Sequence, residues 1–325
     1  MKFPDSVYAG SAAAAFALTL ASLPLWRFAC RRVGLVDAPG ERKIHEAPIP
    51  LAGGLAVLTG MLLPLLAAAA TVHFQWLGGL AGDRLVYGFE RRSGQLAAIF
   101  GGAVGMTLLG WLDDRHELRP ALKFAGQVLV AGLVAASGVR ITLFVPNVFF
   151  SFAITVLWIV TVTNALNFLD NMNGLCAGLG VIAAALFGVK AALLDQYLVA
   201  SVAFLAVGAL LGFLPFNFPR ASVFLGDAGS HLTGFLLAVL AILPHFHSPK
   251  HPRPLAVLTP LLVLAVPLAD LVWVILLRWR VGRPFYIGDT NHLSHRLVRR
   301  GFSRTQAVVL IWTVAAAVGS VAFFL

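Results

Sequence analysis

Long apolar runs separated by short polar stretches recur from one end of the chain to the other. They predict ten spans, at residues 7–28, 53–71, 95–112, 121–137, 149–166, 175–194, 197–216, 230–245, 255–277 and 305–325. About 20 residues cross the hydrocarbon core of a bilayer as a helix, so each run is long enough or nearly so, with 121–137 and 230–245 the shortest. None of them alternates with the two-residue period of a membrane barrel strand. The expected architecture is an all-α polytopic membrane protein of about ten transmembrane helices, forming one integral-membrane domain over residues 1–325. Small residues at four-residue spacing, Gly101/Gly105, Gly174/Gly178 and Gly208/Gly212, suit close helix packing. The first run is longer than the apolar region of a signal peptide and is read as a retained helix. The segment 72–94 is the weak point of the count, because an extra or re-entrant piece there would change it.

Composition agrees with the pattern. Of the 325 residues 59% are hydrophobic and only 12% charged, against about 25% charged in a soluble domain. A cytosolic enzyme, a secreted domain and a disordered tail are excluded. The formal net charge is +10, confined to short loops between apolar runs. The partners it suggests are anionic lipid headgroups and phosphorylated substrates rather than nucleic acid. Cys30 and Cys176 lie far apart in or beside apolar runs, which gives no support for a disulfide scaffold.

Ten spans divide the loops into two sets. The set at 29–52, 113–120, 167–174, 217–229 and 278–304, with adjoining helix ends, holds about two thirds of the 24 Lys and Arg residues, and the positive-inside rule places it in the cytoplasm. The notable acids fall on the same side: Asp113 and Asp114, Asp170, Asp227 and Asp289. A charge at mid-membrane costs on the order of 3 kcal/mol, so acids at span ends call for water, a partner or a metal.

Each acidic segment has a bland reading and a chemical one. Asp113 and Asp114 could end a hydrated helix beside Arg115 or Arg119, or collect a hard cation with one carboxylate left to act on a proton. Asn164, Asn167 and Asp170, at i, i+3 and i+6, could cap a helix or form one polar edge of a cavity wall. Gly226-Asp227-Ala228-Gly229-Ser230 precedes a helix, where backbone N–H groups could meet an anion while Asp227 offers a metal ligand. His292 and His295, followed by Arg296, could bind a transition metal, but no His-Glu-x-x-His pattern accompanies them, and donation to a diphosphate fits the basic surroundings better. His245, His247 and His251 fall on the opposite face and read as solvated. No Walker loop, Gly-x-Ser-x-Gly elbow or dinucleotide fingerprint is present.

In order along the chain these segments resemble the polyprenyl-phosphate N-acetylhexosamine-1-phosphate transferases. Asp37-Ala-Pro-Gly-Glu-Arg42-Lys43-Ile-His45, with Pro48 to Gly54, looks like the family's first cytoplasmic loop. Gly110-Trp-Leu-Asp113-Asp114, with Lys123 and Gln127 beyond, looks like its Asp-Asp motif. Asn167-Phe-Leu-Asp170 to Leu175, Phe224 to Ser230, Pro267 with Asp270, and Asn291-His292-Leu-Ser-His295-Arg296 follow in family order. The Arg-Lys-x-His stretch and the final His-x-x-His-Arg-Leu are nearer the WecA/TagO type than the peptidoglycan MraY type. Three positions depart from the pattern: Asn171 where many members have Gly, Asn173 where many have Asp, and Ser294 where an extra His is frequent.

The resemblance implies a reaction in which a membrane-embedded polyprenyl phosphate, undecaprenyl phosphate in bacteria, attacks the β-phosphorus of a UDP-N-acetylhexosamine and releases UMP. It implies Mg²⁺, with Mn²⁺ as an alternative, and a site facing the cytoplasm at a bacterial inner membrane. A homodimer is left open. The implied roles are Asp227 as metal ligand, with Asp114 supporting the metal or the same site as Asp113, and Asp113 orienting or deprotonating the lipid phosphate. Lys123 would hold that phosphate, and Asp170, Asn167 and Asn173 would face the nucleotide pocket. Arg42, Lys43 and His45 would assist binding, and His292, His295 and Arg296 would grip the diphosphate and sugar. A transporter or lipid flippase is the rival from another class, but it would need polar groups and broken helices near mid-membrane, whereas these acids gather at one rim. A scaffold for glycan assembly would need the topology without the motifs.

Overall fold

A computed structural model describes residues 3–39, 47–74, 80–142, 145–244, 246, 253–284 and 291–325, with only the backbone given for 80–85 and 87–90. The elements in order are α1 (Asp5–Arg32), the short strands β1 (Val36–Asp37) and β2 (Ile49–Pro50), α2 (Gly53–His73), α3 (Leu80–His116), α4 (Pro120–Ala136) and α5 (Val148–Leu169). There follow α6 (Leu175–Leu193), α7 (Tyr197–Asn217), α8 (Gly226–Ile242), α9 (Thr259–Val263), α10 (Ala265–Arg280), α11 (Leu293–Arg299) and α12 (Arg304–Ser320). Among the described residues seven helices are long and apolar enough to cross a membrane, or eight if the bent pair α9–α10 counts as one span. The chain is a multi-pass membrane protein. The remaining two predicted spans correspond to α4 and α8, each of 17 residues.

In the segment left open at 72–94, α3 begins at Leu80, and its membrane-crossing part starts at Arg91. One expectation changes. The span expected at 255–277 is broken: Pro254–Val263 and Ala265–Arg280 meet at 66°. Pro267 accounts for the break, because its ring would clash with the carbonyl of Val263 and it has no N–H to donate.

α8 is the axis of the fold, packed by α2, α3, α5 and α6, and every residue from Ala228 to Ala241 is buried. A helix that is apolar all round belongs inside protein, and the one-turn shortfall against the bilayer is tolerated because neighbours, not lipid, surround it. Of the glycine pairs, Gly208 and Gly212 let α7 reach the backbone of α1, and Gly178 accepts the Trp312 ring. Gly101, by contrast, faces open space, while its expected partner Gly105 packs close to Val130 and the next residue, Gly102, comes close to Phe235 and Val134. The β1–β2 hairpin pairs Val36 with Pro50 and Asp37 with Ile49. It is tied to the start of α8, where Phe224 N–H donates to Pro50 O and Gly53 and Gly54 donate to Phe224 and Leu225. These ties place the first loop, the end of α3 and the start of α8 at the same end of the bundle.

Candidate functional site

At that end a cavity of about 960 Å³ opens, lined by Asp37, Asp113, Asp114, Glu117, Asp170, Asn171, Asn173, Arg220, Asp227 and Arg304 among others. The ends of α3, α5 and α7 and the starts of α8 and α12 supply these side chains. Residues 44 to 114 positions apart in sequence meet because their helices all terminate at one level, where a charged side chain can reach water and the apolar runs stop.

The centre of the wall is a charge-paired cluster. Lys123 Nζ lies 2.6 Å from Asp113 Oδ2 and 2.9 Å from Asp227 Oδ2, and donates to Asn167 Oδ1 at 3.3 Å. Asn167 in turn donates to Asp227 Oδ1 at 2.6 Å and to Ser230 Oγ at 2.9 Å. Asp113 Oδ1 accepts from Leu118 N–H, which fixes the turn between α3 and α4. An ammonium has three N–H bonds, and those of Lys123 are all directed at groups of the protein. In this arrangement it holds Asp113 and Asp227 in register.

Asp114 has a different task. Its two carboxylate oxygens accept the backbone N–H groups of Asp227 (2.8 Å) and Ala228 (3.1 Å) at the start of α8. The anion met by this helix N-terminus is therefore a side chain of the same chain, where substrate phosphate was one expectation from the Gly-Asp-Ala-Gly-Ser stretch. Gly226 sits at φ +72, which lets the chain enter α8 under Asp114 without a Cβ. Gly110 is pressed against the Asp227 carbonyl so closely that a Cβ there would collide with it.

Asp170 faces the cavity from the end of α5, and among the described residues its carboxylate has no hydrogen-bond partner. Burial holds that carboxyl well above the usual carboxylate range, and the charges of Asp227 and Asp114 push the same way. Asn173 lines the cavity while donating to Pro219 O at 3.2 Å.

The C-terminal motif is placed beside the cavity, not on its wall. His292 is buried, with Nδ1 2.7 Å from Asp270 Oδ2, and Leu293 N–H donates to Asp270 Oδ1 at 2.7 Å. Arg296 stacks on the Trp273 ring at 4.7 Å. His295 is half-buried, and its imidazole is held below its ordinary value by burial, then by the charges of His292, Arg304 and Arg299. Arg42, Lys43 and His45, like Asp289, lie outside the described residues; Asp37 and Ile49, on either side of the former, line the cavity.

Several site residues escaped the motif reading. Arg220 and Arg304 are the guanidinium groups among the described lining residues. Their signal in the sequence is position, since each flanks an apolar span at the basic rim. His231 is fully buried one turn into α8: its Nδ1 is 2.7 Å from Asp227 O and its Nε2 2.9 Å from Gln127 Nε2. Because an amide nitrogen only donates, Nε2 must accept and Nδ1 must carry the proton, so this histidine is neutral and props the first turn of α8. Asn164 completes the chain by donating to Gln127 Oε1 at 2.6 Å.

The family follows from comparison with known proteins. Residues 96–245, which hold the α3, α5 and α8 parts of the site, match Glycosyl transferase family 4. The chain is 31% identical over 291 residues to a probable undecaprenyl-phosphate N-acetylglucosaminyl 1-phosphate transferase of Bacillus subtilis, covering 87% of this chain and 75% of that protein. It is 35% identical over 323 residues to a decaprenyl-phosphate N-acetylglucosaminephosphotransferase of Mycobacterium tuberculosis (91% and 76%). Against an undecaprenyl-phosphate alpha-N-acetylglucosaminyl 1-phosphate transferase of Escherichia coli it is 28% identical over 320 residues (94% and 80%). The chain belongs to the membrane-embedded polyprenyl-phosphate N-acetylhexosamine-1-phosphate transferases of glycosyl transferase family 4, and it is an enzyme of the transferase class.

Proposed function

We propose that the protein transfers N-acetylglucosamine-1-phosphate from UDP-N-acetylglucosamine (UDP-GlcNAc) to undecaprenyl phosphate at the cytoplasmic face of a bacterial inner membrane, releasing UMP and starting a surface glycan. The observation that carries this reading is the joining of Asp113, Lys123, Asn167 and Asp227 by direct contacts at the helix ends, beside a cavity lined by Asp170, Arg220 and Arg304. A greasy phosphate and a dissolved nucleotide can meet only at such a rim. The relatives' names favour N-acetylglucosamine over the muramoyl-pentapeptide substrate of the peptidoglycan branch.

In the reaction an oxygen of the lipid phosphate forms a bond to the β-phosphorus of the UDP-sugar, and the bond from that phosphorus to the bridging oxygen breaks. The bridging oxygen leaves with UMP. Catalysis of this kind rests on positioning and charge stabilisation. Arg220 and Arg304 would take diphosphate oxygens. Lys123 keeps Asp113 and Asp227 apart and oriented, and Asp170, with open hydrogen-bonding capacity, is the carboxylate best placed to contact substrate.

Mg²⁺ fits the donor set. Six Asp and Glu side chains and no His or Cys stand among the described lining residues, so the donors on offer are chiefly oxygens, and two anionic substrates would bring further negative charge. Among the described residues no three His, Cys, Asp or Glu side chains form a ready cage. Mg²⁺ does not require one, since it commonly takes one or two carboxylates and completes its shell with water and substrate phosphates. Asp227 would hold it, with Asp114 supporting Asp227 through the first turn of α8. When bound it would neutralise the diphosphate and the leaving UMP. The test is purified protein with undecaprenyl phosphate, Mg²⁺ and a panel of UDP-sugars, following UMP. Release that needs both substrates and is strongest with UDP-GlcNAc is expected; lipid movement independent of nucleotide would replace the reading with a flippase.

A further inference from the structure

Asn171, on the turn that lines the cavity, and Ser294, at the start of α11, touch. Ser294 Oγ donates to Asn171 Oδ1 at 2.7 Å across 123 positions of sequence. Ser294 is fully buried. Asn171 is fixed from its other end as well, its Nδ2 donating to Phe168 O at 2.8 Å. It follows Asp170 directly, and the turn Asp170-Asn171-Met172-Asn173 lines the cavity. On the far side, Asp270 of α10, only 4% exposed, grips His292 and the first N–H of α11. Asp270 and Asn171 thus hold consecutive residues at the start of α11, and Asn171–Ser294 is the contact that ties this helix to the turn lining the cavity.

We propose that Asn171 and Ser294 form a paired positioning contact that sets the 170–173 turn against the nucleotide sugar, and that the two positions can be exchanged only together. This rests on the transferase reading. The physical grounds are two. Glycine at 171 would remove the acceptor and leave a buried hydroxyl unsatisfied. Histidine at 294 would need space that the Asn171 side chain fills, and a glycine at 171 would open it.

The experiment is a double-mutant cycle on the full-length protein in detergent, read on UDP-GlcNAc affinity by calorimetry and on KM against kcat for UMP release. Ser294→Ala and Asn171→Gly are each expected to weaken UDP-GlcNAc binding about tenfold, and the double variant no more than the worse single. Ser294→His alone should weaken binding further, and adding Asn171→Gly should return it to within about threefold of wild type. These changes should fall on affinity and KM, with folded protein and melting temperature little altered in the Ser294→Ala variant. Additive single effects, or a Ser294→His protein that binds as well as its Asn171→Gly partner, would overturn the pairing. Wild type that binds UDP-GlcNAc but releases no UMP would overturn the transferase reading instead, and the affinity cycle would still decide the pairing.

Discussion

Lys123 Nζ lies 2.9 Å from Asp227 Oδ2, joining residues 104 positions apart, and the same nitrogen lies 2.6 Å from Asp113. Two carboxylates on different helices share one ammonium. Lys123→Met would leave them facing each other unscreened. Breaking a buried pair costs roughly 3–5 kcal/mol of stability, less here because Asp227 keeps 33% exposure; because the two acids also lose their alignment, a fall in kcat of about 100-fold is expected. Asp227→Asn should abolish transfer while the protein still inserts and binds detergent as wild type does. UMP release and size-exclusion profiles check both; a Lys123→Met enzyme with normal kcat would remove the shared-cation role.

Asp114 and Asp227 look alike in sequence but are set to different work. Asp114→Ala exposes two N–H groups at the start of α8 and should lower stability by about 1–3 kcal/mol, whereas Asp114→Asn, which keeps an acceptor, should lose about 1 kcal/mol. The half-maximal Mg²⁺ concentration should move at least about tenfold in Asp227→Glu and much less in Asp114→Asn. Melting curves and Mg²⁺ titrations of residual activity separate the two; an equal shift in both would make Asp114 a direct ligand.

Gly110 and Gly101 lie on one helix and make opposite predictions. A Cβ at 110 strikes the Asp227 carbonyl, backbone that cannot swing away, while a Cβ at 101 meets nothing. Gly110→Ala should cost about 1–3 kcal/mol and reduce activity per folded molecule by displacing Asp227. Gly101→Ala should be neutral or stabilising by up to about 1 kcal/mol, with full activity. Equal behaviour of the two variants would count against the close approach of α3 to α8.

His295 supplies a pH dependence whose sign follows from its surroundings. Burial and the nearby His292, Arg304 and Arg299 depress its imidazole below the ordinary 6.5, with Asp270 opposing. The folded state therefore favours the neutral ring. Its contribution to stability is fully present above pH 6.5 and is lost as pH falls through the depressed value. Melting temperatures should decline on acidification in wild type and decline less in His295→Gln, with the two alike at alkaline pH. Identical acid limbs would show that His295 does not titrate in this range.

Much of this protein was legible in its apolar periodicity. The run lengths located the membrane-scale helices among the described residues, because a bilayer admits few other solutions for backbone polar groups, but not the short α11, which packs on α12. The same alternation put Asp113, Asp170 and Asp227 at one rim before any coordinates. What the pattern misplaced has local causes: 255–277 reads as one apolar run because hydropathy cannot register that Pro267 lacks an N–H, and Gly101 and Gly102 are indistinguishable until the facing helix is known.

The sequence by itself determined that the chain is helical and membrane-spanning, with Asp113, Asp114, Asp170 and Asp227 gathered at one basic rim, since those properties depend on composition and spacing. Only the tertiary structure decided which acid does what. Asp113, Asp114, Asp170 and Asp227 are the same functional group, and their roles diverge because one meets an ammonium, one a helix N-terminus, one open cavity, and one both Lys123 and Asn167. A carboxylate's chemistry is set by what lies within 3 Å or so of it, and those neighbours come from helices that adjacency along the chain does not reveal.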